Sequence, residues 1–339
     1  MAGGASSPFA RAPRTQGRLE VDAGGARCMR AVRTTRPTGL GESGIRKTVG
    51  NQKERSLDMP LEDELCDILK KSRIGQGLSV GDLAQMTGLP GGDVTALERG
   101  DRPRDRTEVR ALAKALGLRA EPLAQIAIEQ WEPVVQRQPV WVETIHGSIN
   151  GYGVQGYVVH DEGEALLIDT AYNAPAMIEF LSKHRLSLVG ICLTHGHADH
   201  ADGIEQILTF HPAPVYLGSE DVELLSWRPP QSQLMTPVYG QTIAVGRLVV
   251  HCLMTPGHTP GGICYRVDDS QTPVCFVGDT LFAGSIGRSN PGTLYQTHLA
   301  SVRTTVLGLP PEYRLLPGHG PATTVEEELA HNPFYASVP

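Results

Sequence analysis

Long apolar runs are missing from this sequence. None of its 339 residues lies in a stretch approaching the ~18–20 apolar residues that a membrane helix needs, so no membrane-spanning helix is predicted. The first 58 residues also lack an apolar core of the signal-peptide kind. Cysteine pairing is absent as well. None of the six cysteines (Cys28, Cys66, Cys192, Cys252, Cys264 and Cys275) stands in a CxxC pair. The last four sit in apolar, strand-like runs, where a thiol behaves as a small hydrophobe. That usage predicts a reducing compartment, the cytoplasm, and no disulfide framework. Basic surface is scarce over most of the chain. Residues 1–58 carry +6 of an overall −7, which leaves −13 on residues 59–339. An acidic bulk argues against broad nucleic-acid binding by the main domain.

What is present falls into blocks. Residues 1–58, rich in Gly, Arg, Ser and Thr without apolar periodicity, read as a disordered tail. From residue 59 to 130 apolar side chains recur at helical spacing. Leu61, Leu65, Ile68 and Leu69 mark a first helix. Ser79 caps a second one that carries Leu83 and Met86 and ends at Gly88. A third runs from Gly91 to Arg99 with Val94 and Leu97 inward. Val109, Leu112, Ala113 and Leu116 mark a fourth, and Leu123, Ile126 and Ala127 a fifth.

The string Leu78-Ser79, Leu83-Ala84, Thr87-Gly88-Leu89 and Leu97-Glu98-Arg99-Gly100 resembles the Cro/repressor-type helix-turn-helix family. That resemblance implies a small all-α domain over residues 59–130. The family reads DNA from the start of its third helix. Here those positions are Pro90, Gly91, Gly92 and Asp93, with no basic or amide side chain. Ten basic and twelve acidic residues occupy the segment, and Asp101 and Asp105 interleave with Arg99, Arg102, Arg104 and Arg106. The expectation is weak, non-specific DNA affinity, with self-association as a homodimer or partner docking as the main role.

Pro133 and Pro139 punctuate a linker over residues 131–139, after which the period changes to that of strands. Val140–Val142, Gly156–Val159, Ala165–Ile168, Leu188–Leu193, Val215–Leu217, Leu248–Leu253, Gly262–Val267, Val274–Val277 and Arg314–Leu316 read as strands. Residues 174–184, 201–210 and 294–307 read as helices. The pattern predicts a mixed α/β (α+β) domain over residues 140–339, with sheets packed together and helices outside.

The apolar run ending at Leu193 leads straight into Thr194-His195-Gly196-His197-Ala198-Asp199-His200. Four potential ligands fall within six residues, on a loop leaving a buried strand. Imidazole nitrogens and a carboxylate suit zinc or a similar borderline cation. Three more candidates follow strands in the same way: His258 in Pro256-Gly257-His258-Thr259-Pro260-Gly261-Gly262, Asp279 in Val277-Gly278-Asp279-Thr280, and His319 in Pro317-Gly318-His319-Gly320. Seven ligands are enough for two ions.

These motifs, with Gly278-Asp279-Thr280-Leu281-Phe282-Ala283-Gly284-Ser285-Ile286-Gly287-Arg288, resemble the metallo-β-lactamase superfamily and its glyoxalase II-like hydrolases. The resemblance implies a four-layer αβ/βα sandwich. It implies that His195, His197 and His258 hold one metal, that Asp199, His200 and His319 hold the other, and that Asp279 bridges them. Asp169 would orient ligands from behind, Asp199 would act in catalysis, and Arg288 would meet a substrate carboxylate. The implied cofactors are two divalent ions, zinc first, with iron or manganese as alternatives. The implied reaction is attack of dinuclear-metal-bound hydroxide on a small acyl thioester such as S-lactoylglutathione. Phe282 stands where lactonases of the family carry Tyr. Only 20 residues follow His319, against the helical C-terminal domain of the larger glyoxalase II enzymes. Two other readings remain: a helix-turn-helix regulator whose hydrolase fold senses a metabolite, and a mono-iron persulfide dioxygenase.

Overall fold

Successive side chains of a strand face opposite ways, so each buried strand serves two different cores. In the computed structural model, which describes residues 59–134 and 137–335, that sorting builds the whole second part of the chain. The expected disordered tail, residues 1–58, lies outside the described residues.

One six-stranded sheet has the order β1 (Val142–Ile149), β2 (Tyr152–Asp161), β3 (Glu164–Ile168), β4 (Ser187–Cys192), β5 (Val215–Tyr216) and β6 (Leu234–Met235). Its first three strands are antiparallel and the rest run parallel from β3 onward. The other sheet is built from β7 (Thr242–Val245), β8 (Leu248–Met254), β9 (Ile263–Val267), β10 (Val274–Gly278), β13 (Arg314–Pro317) and β14 (Thr323–Thr324). Its order is β14-β13-β10-β9-β8-β7. Between β10 and β13 a small hairpin, β11 (Leu281–Phe282) and β12 (Ser285–Ile286), stands apart.

Val159, Leu166, Ile168 and Cys192 of the first sheet meet Val250, Cys252, Tyr265, Phe276 and Leu316 of the second in a shared inner core. The alternate residues Val158, Leu167, Ile191 and Leu193 face outward. They pack on Met177 and Leu181 of α6 (Ala174–His184) and on Ile204 and Ile207 of α8 (Ile204–Phe210). Each fully buried Leu, Ile or Phe contributes roughly 1.5–3 kcal/mol relative to exposure. The fold is mixed α/β, with helices outside two facing sheets.

The outer face of the second sheet is covered from both ends of the chain. Leu253, Cys264, Cys275, Val277 and Leu315 join Tyr295 of α9 (Tyr295–Ser301) and Val325 of α10 (Val325–His331). The same core includes Ile68 and Leu69 of α1 (Leu65–Gly75), Leu83 of α2 (Val80–Thr87), Val94 of α3 (Gly91–Leu97), Leu112 of α4 (Arg106–Leu116) and Leu123 of α5 (Ala120–Ala124). The five helices therefore share one core with the sheet. Direct bonds tie them down: the Arg119 backbone N–H donates to the Pro333 carbonyl at 2.8 Å, and Trp131 stacks on His331 with ring centres 4.9 Å apart.

Local chemistry sets the helix ends. Ser79 accepts from the Asp82 N–H and Asp82 returns the bond, while Gly88 closes α2 at φ +74°. Asp105 caps α4 and Gly117 ends it at φ +67°. Several expectations shift, among them the third helix, which ends at Leu97, and the helix expected over 201–210, which begins at Ile204. The first helix begins at Leu65 and leaves Leu61 outside it. The strand expected at 140–142 starts only at Val142 and runs on to Ile149, burying Val142 in the inner core and Ile145 in the outer one. The helix expected over 294–307 becomes α9 followed by a π-helical turn at Val302–Val306. Among the described residues no helix is long and apolar enough to cross a membrane.

Candidate metal centre

Strands β3, β4, β8, β10 and β13 all end at one edge of the two facing sheets, and each delivers a polar residue there. Asp169 follows β3. The segment from Thr194 to His200 follows β4, with Asp199 and His200 on the short helix α7 (Ala198–Ala201). His258 follows β8, Asp279 follows β10, and His319 follows β13. The loops approach closely because glycine lines them: a side chain at Gly318 would run into the His200 ring, and one at Gly278 (φ +47°) into Thr194.

The seven side chains converge. Donor atoms of His195, His197 and His258 lie within 4.8 Å of one another, as do those of His195, Asp199 and His200, and those of His200, Asp279 and His319. Asp199 Oδ2 is 3.2 Å from His319 Nε2 and 3.8 Å from His200 Nε2. Asp279 stands between the groups, with Oδ2 3.6 Å from His258 Nε2 and Oδ1 3.2 Å from His200 Nε2. His195, His200, His258, Asp279 and His319 are buried; His197 and Asp199 are partly open to solvent.

Partners behind the rings decide which nitrogens face inward. His258 Nδ1 donates to the Arg288 carbonyl at 2.6 Å, and His319 Nδ1 to the Gly153 carbonyl at 2.6 Å. A carbonyl only accepts, so these rings carry their proton on Nδ1 and, when neutral, turn a bare Nε2 to the centre. His200 Nδ1 is held by Asp169 Oδ2 at 2.8 Å. His195 Nδ1 lies 3.1 Å from Thr194 Oγ1, whose own proton goes to Asp169 at 2.7 Å. His195 Nε2 and Asp279 Oδ1 are buried without a hydrogen-bond partner. His200 Nε2 and His319 Nε2 face each other across 3.4 Å, and His197 Nδ1 and His258 Nε2 across 3.0 Å. Ring nitrogens and carboxylates turned toward one another suit a cation between them. The donor set fits zinc or a similar ion.

The electrostatics divide the site in two. Burial pushes His195 and His197 down, and His258 down to about 3, which keeps these rings neutral. Burial also works against charge on His200 and His319. There the nearby carboxylates, Asp279 foremost, outweigh it and raise His200 well above its usual value and His319 to about 9. Burial would raise Asp199 and Asp279, yet His200 and His319 hold Asp199 down to about 2 and Asp279 well below the usual range. The His200–His319 side is thus a strongly cation-favouring field.

Asp169 adopts φ +56° and takes the Thr194 N–H at 2.7 Å besides its bond to His200. A non-glycine residue in that region is held there by its surroundings. Arg288 offers its carbonyl to His258 while its side chain is exposed. Sequence reasoning missed Asp221, fully buried in the 3-10 turn Ser219–Leu224. Its carboxylate accepts from the Gly196 N–H at 3.1 Å, the Thr259 hydroxyl at 2.6 Å and the Gly261 N–H at 2.7 Å. It thereby joins the His195–His197 loop to the His258 loop. No spacing rule marks it in the sequence. His298, also buried, bridges the Thr280 carbonyl at 2.8 Å and the Ser289 hydroxyl at 3.1 Å.

A model of the Metallo-beta-lactamase superfamily matches residues 149–319. The chain is 32% identical over 192 residues to hydroxyacylglutathione hydrolase GloC of Haemophilus influenzae, an overlap of 52% of this chain and 90% of that protein. It is 27% identical over 201 residues to the probable polyketide biosynthesis zinc-dependent hydrolase BaeB of Bacillus velezensis, over 57% of this chain and 85% of that one. Among solved structures, the BLEG-1 B3 metallo-beta-lactamase superposes with a TM-score of 0.52 at 28% identity, covering 58% of this chain and 100% of the other.

Proposed function

Because the chain belongs to the Metallo-beta-lactamase superfamily, we propose that it is a metal-dependent hydrolase of small acyl thioesters with a dinuclear centre. His195, His197 and His258 would hold one ion and Asp199, His200 and His319 the other, with Asp279 available to both. The observation that carries this reading is the ring of inward nitrogens and carboxylates, with His195 Nε2 and Asp279 Oδ1 buried without a hydrogen bond. Zinc is the first candidate, and similarity to a protein named as a zinc-dependent hydrolase supports it. Similarity to a hydroxyacylglutathione hydrolase supports the thioester, S-lactoylglutathione being the first to try.

When bound, two such ions would supply activation of water at neutral pH and polarisation of the substrate carbonyl. The protein does the rest. Asp199, ionised at neutral pH and partly open to solvent, aims the attacking water and takes its proton. Asp169 and Asp221 fix the loops that carry the rings. Arg288, exposed beside the His258 loop, meets a carboxylate of the substrate.

Residues 59–130 we read as helix-turn-helix-like, with self-association or docking as their outward role. Asp93 stands at the start of α3, and two of the nearby arginines are already engaged with acids. Arg104 pairs with Glu108 at 2.7 Å and Asp93 at 3.5 Å, and Arg106 pairs with Glu121 at 2.8 Å and with Glu129. Little free positive charge is left for phosphates.

Elemental analysis of the purified protein, with a screen of thioesters, lactones and persulfides, tests the enzymatic reading. About two metal equivalents and preferential thioester cleavage are expected. Faster turnover of lactones would overturn the substrate. A single iron that consumes oxygen with persulfides would replace the hydrolase by a dioxygenase.

A further inference from the structure

The family match begins at residue 149, yet a buried polar contact from much earlier in the chain reaches the hairpin that follows Asp279. Asp63, just ahead of α1, is buried. Its Oδ2 accepts from Lys71 Nζ at 2.5 Å and from the Ser285 hydroxyl. Lys71 Nζ also donates to the Ile286 carbonyl at 2.9 Å and lies 5.0 Å from the centre of the Phe282 ring. Three residues of the β11–β12 hairpin are thus held by two side chains of the helical segment. From the opposite side Glu328 accepts from the Gly284 N–H at 3.1 Å, and Asn332 donates to the Ser285 carbonyl at 3.0 Å.

The hairpin ends inside the centre. Asp279 lies two residues before Leu281. A side chain at Gly287 would run into the Asp279 carbonyl and sit 3.1 Å from His258 Nδ1, so the strap lies directly against both ligands. The carbonyl of the next residue, Arg288, accepts the hydrogen bond from His258 Nδ1. Phe282 meets the His319 ring edge-on, centres 5.9 Å apart. A shift of the hairpin is therefore passed to three of the seven proposed ligands. Burying an ion pair is a poor way to gain stability, because desolvation offsets most of the attraction. Apolar residues would glue the helix to the hairpin as well. What the pair adds is directional bonding at defined points, and metal ligands need placement within about half an ångström.

We propose that Asp63 and Lys71 are positioning residues of the metal centre: through Ser285, Ile286 and Phe282 they set the hairpin that places Asp279, His258 and His319. This rests on the dinuclear reading above. The segment before the family domain is then part of the site.

The test uses the full chain. Zinc affinity is measured by chelator competition, and ligand geometry by the visible spectrum of the cobalt(II)-loaded protein. Asp63→Asn and Lys71→Met are expected to weaken zinc binding about tenfold, the low end of the range for partners of metal ligands, and to alter the cobalt spectrum. Lys71→Arg, which keeps a cationic donor, should recover most of the affinity. A role confined to stability would lower the melting temperature and leave both readouts unchanged at temperatures where the variant is folded. If Asp63→Asn does not fold, Ser285→Ala, which removes one hydroxyl, carries the test with the same expectation. Wild-type affinity and spectrum in all variants would overturn the proposal alone. A wild-type protein that binds no zinc, iron or manganese would overturn the dinuclear reading and this proposal with it.

Discussion

Replacing Asp221 should disable the metal centre without touching a proposed ligand. Its carboxylate takes three buried donors from two loops that come from different sheets. A hydrogen bond to a charged group is worth about 1.5–3 kcal/mol, and a buried donor left without an acceptor costs a similar amount. Asp221→Ala removes all three acceptors, a loss of roughly 5 kcal/mol or more, which approaches the whole stability of an ordinary domain at about 5–15 kcal/mol. That variant should not fold stably. Asp221→Asn is the informative one. Its single amide oxygen can keep the Gly196 N–H and the Thr259 hydroxyl, while its NH2 group faces the Gly261 N–H. One donor goes unmet, for about 2–3 kcal/mol. The His258 loop then keeps only its Thr259 bond as a tie to the His195–His197 loop, and zinc affinity should fall about 10–100-fold. Denaturant unfolding in chelator gives the first quantity, and zinc competition the second. An Asn variant within about 0.5 kcal/mol of wild type and equal to it in zinc affinity would refute the clamp.

His197→Ala should abolish hydrolysis and reduce bound metal while circular dichroism stays native, since His197 is only half-buried. Asp199→Asn should lower turnover by orders of magnitude with metal content retained, through loss of nucleophile orientation; kcat and elemental analysis check it. Glu328 is raised from 4.5 to about 7, chiefly by burial, so the folded state holds its proton longer than the unfolded chain does. Its contribution is full below about pH 4.5 and is lost as pH rises through about 7, roughly 3 kcal/mol at about 1.4 kcal/mol per pH unit. Glu328→Gln should therefore gain stability relative to wild type across that window in chelator, and a pH-independent difference would contradict it. A gel shift with the full chain should find only weak, salt-sensitive DNA binding; a defined operator bound in the nanomolar range at about 150 mM salt would revive the regulator reading.

Several features were legible along the chain because they are local. Unbroken apolar runs at Leu166–Ile168 and Val274–Val277 announce strands with two buried faces. Ser79, Gly88 and Gly117 mark helix ends through capping chemistry that needs only neighbours in sequence. The seven metal-site candidates stand out because each sits in a short glycine-flanked motif after a strand, and the structure brings all seven to one edge. The short ladders β6, β7, β11, β12 and β14 were not foreseen, since two to four residues of strand have too little period to read.

Tertiary structure alone decided which distant groups complete the site. The amino-acid sequence by itself determined the longer elements and the candidate ligand motifs, because spacing along the chain fixes which side chains share a face or a turn. It did not mark Asp221, Asp63 or Lys71, nor did it show that α1–α5 share a core with the second sheet. A buried carboxylate is recognised only by the donors around it. Those of Asp221 lie 25 to 40 residues away, and Ser285 lies 222 residues from Asp63. Such partners become neighbours only once the sheets have packed.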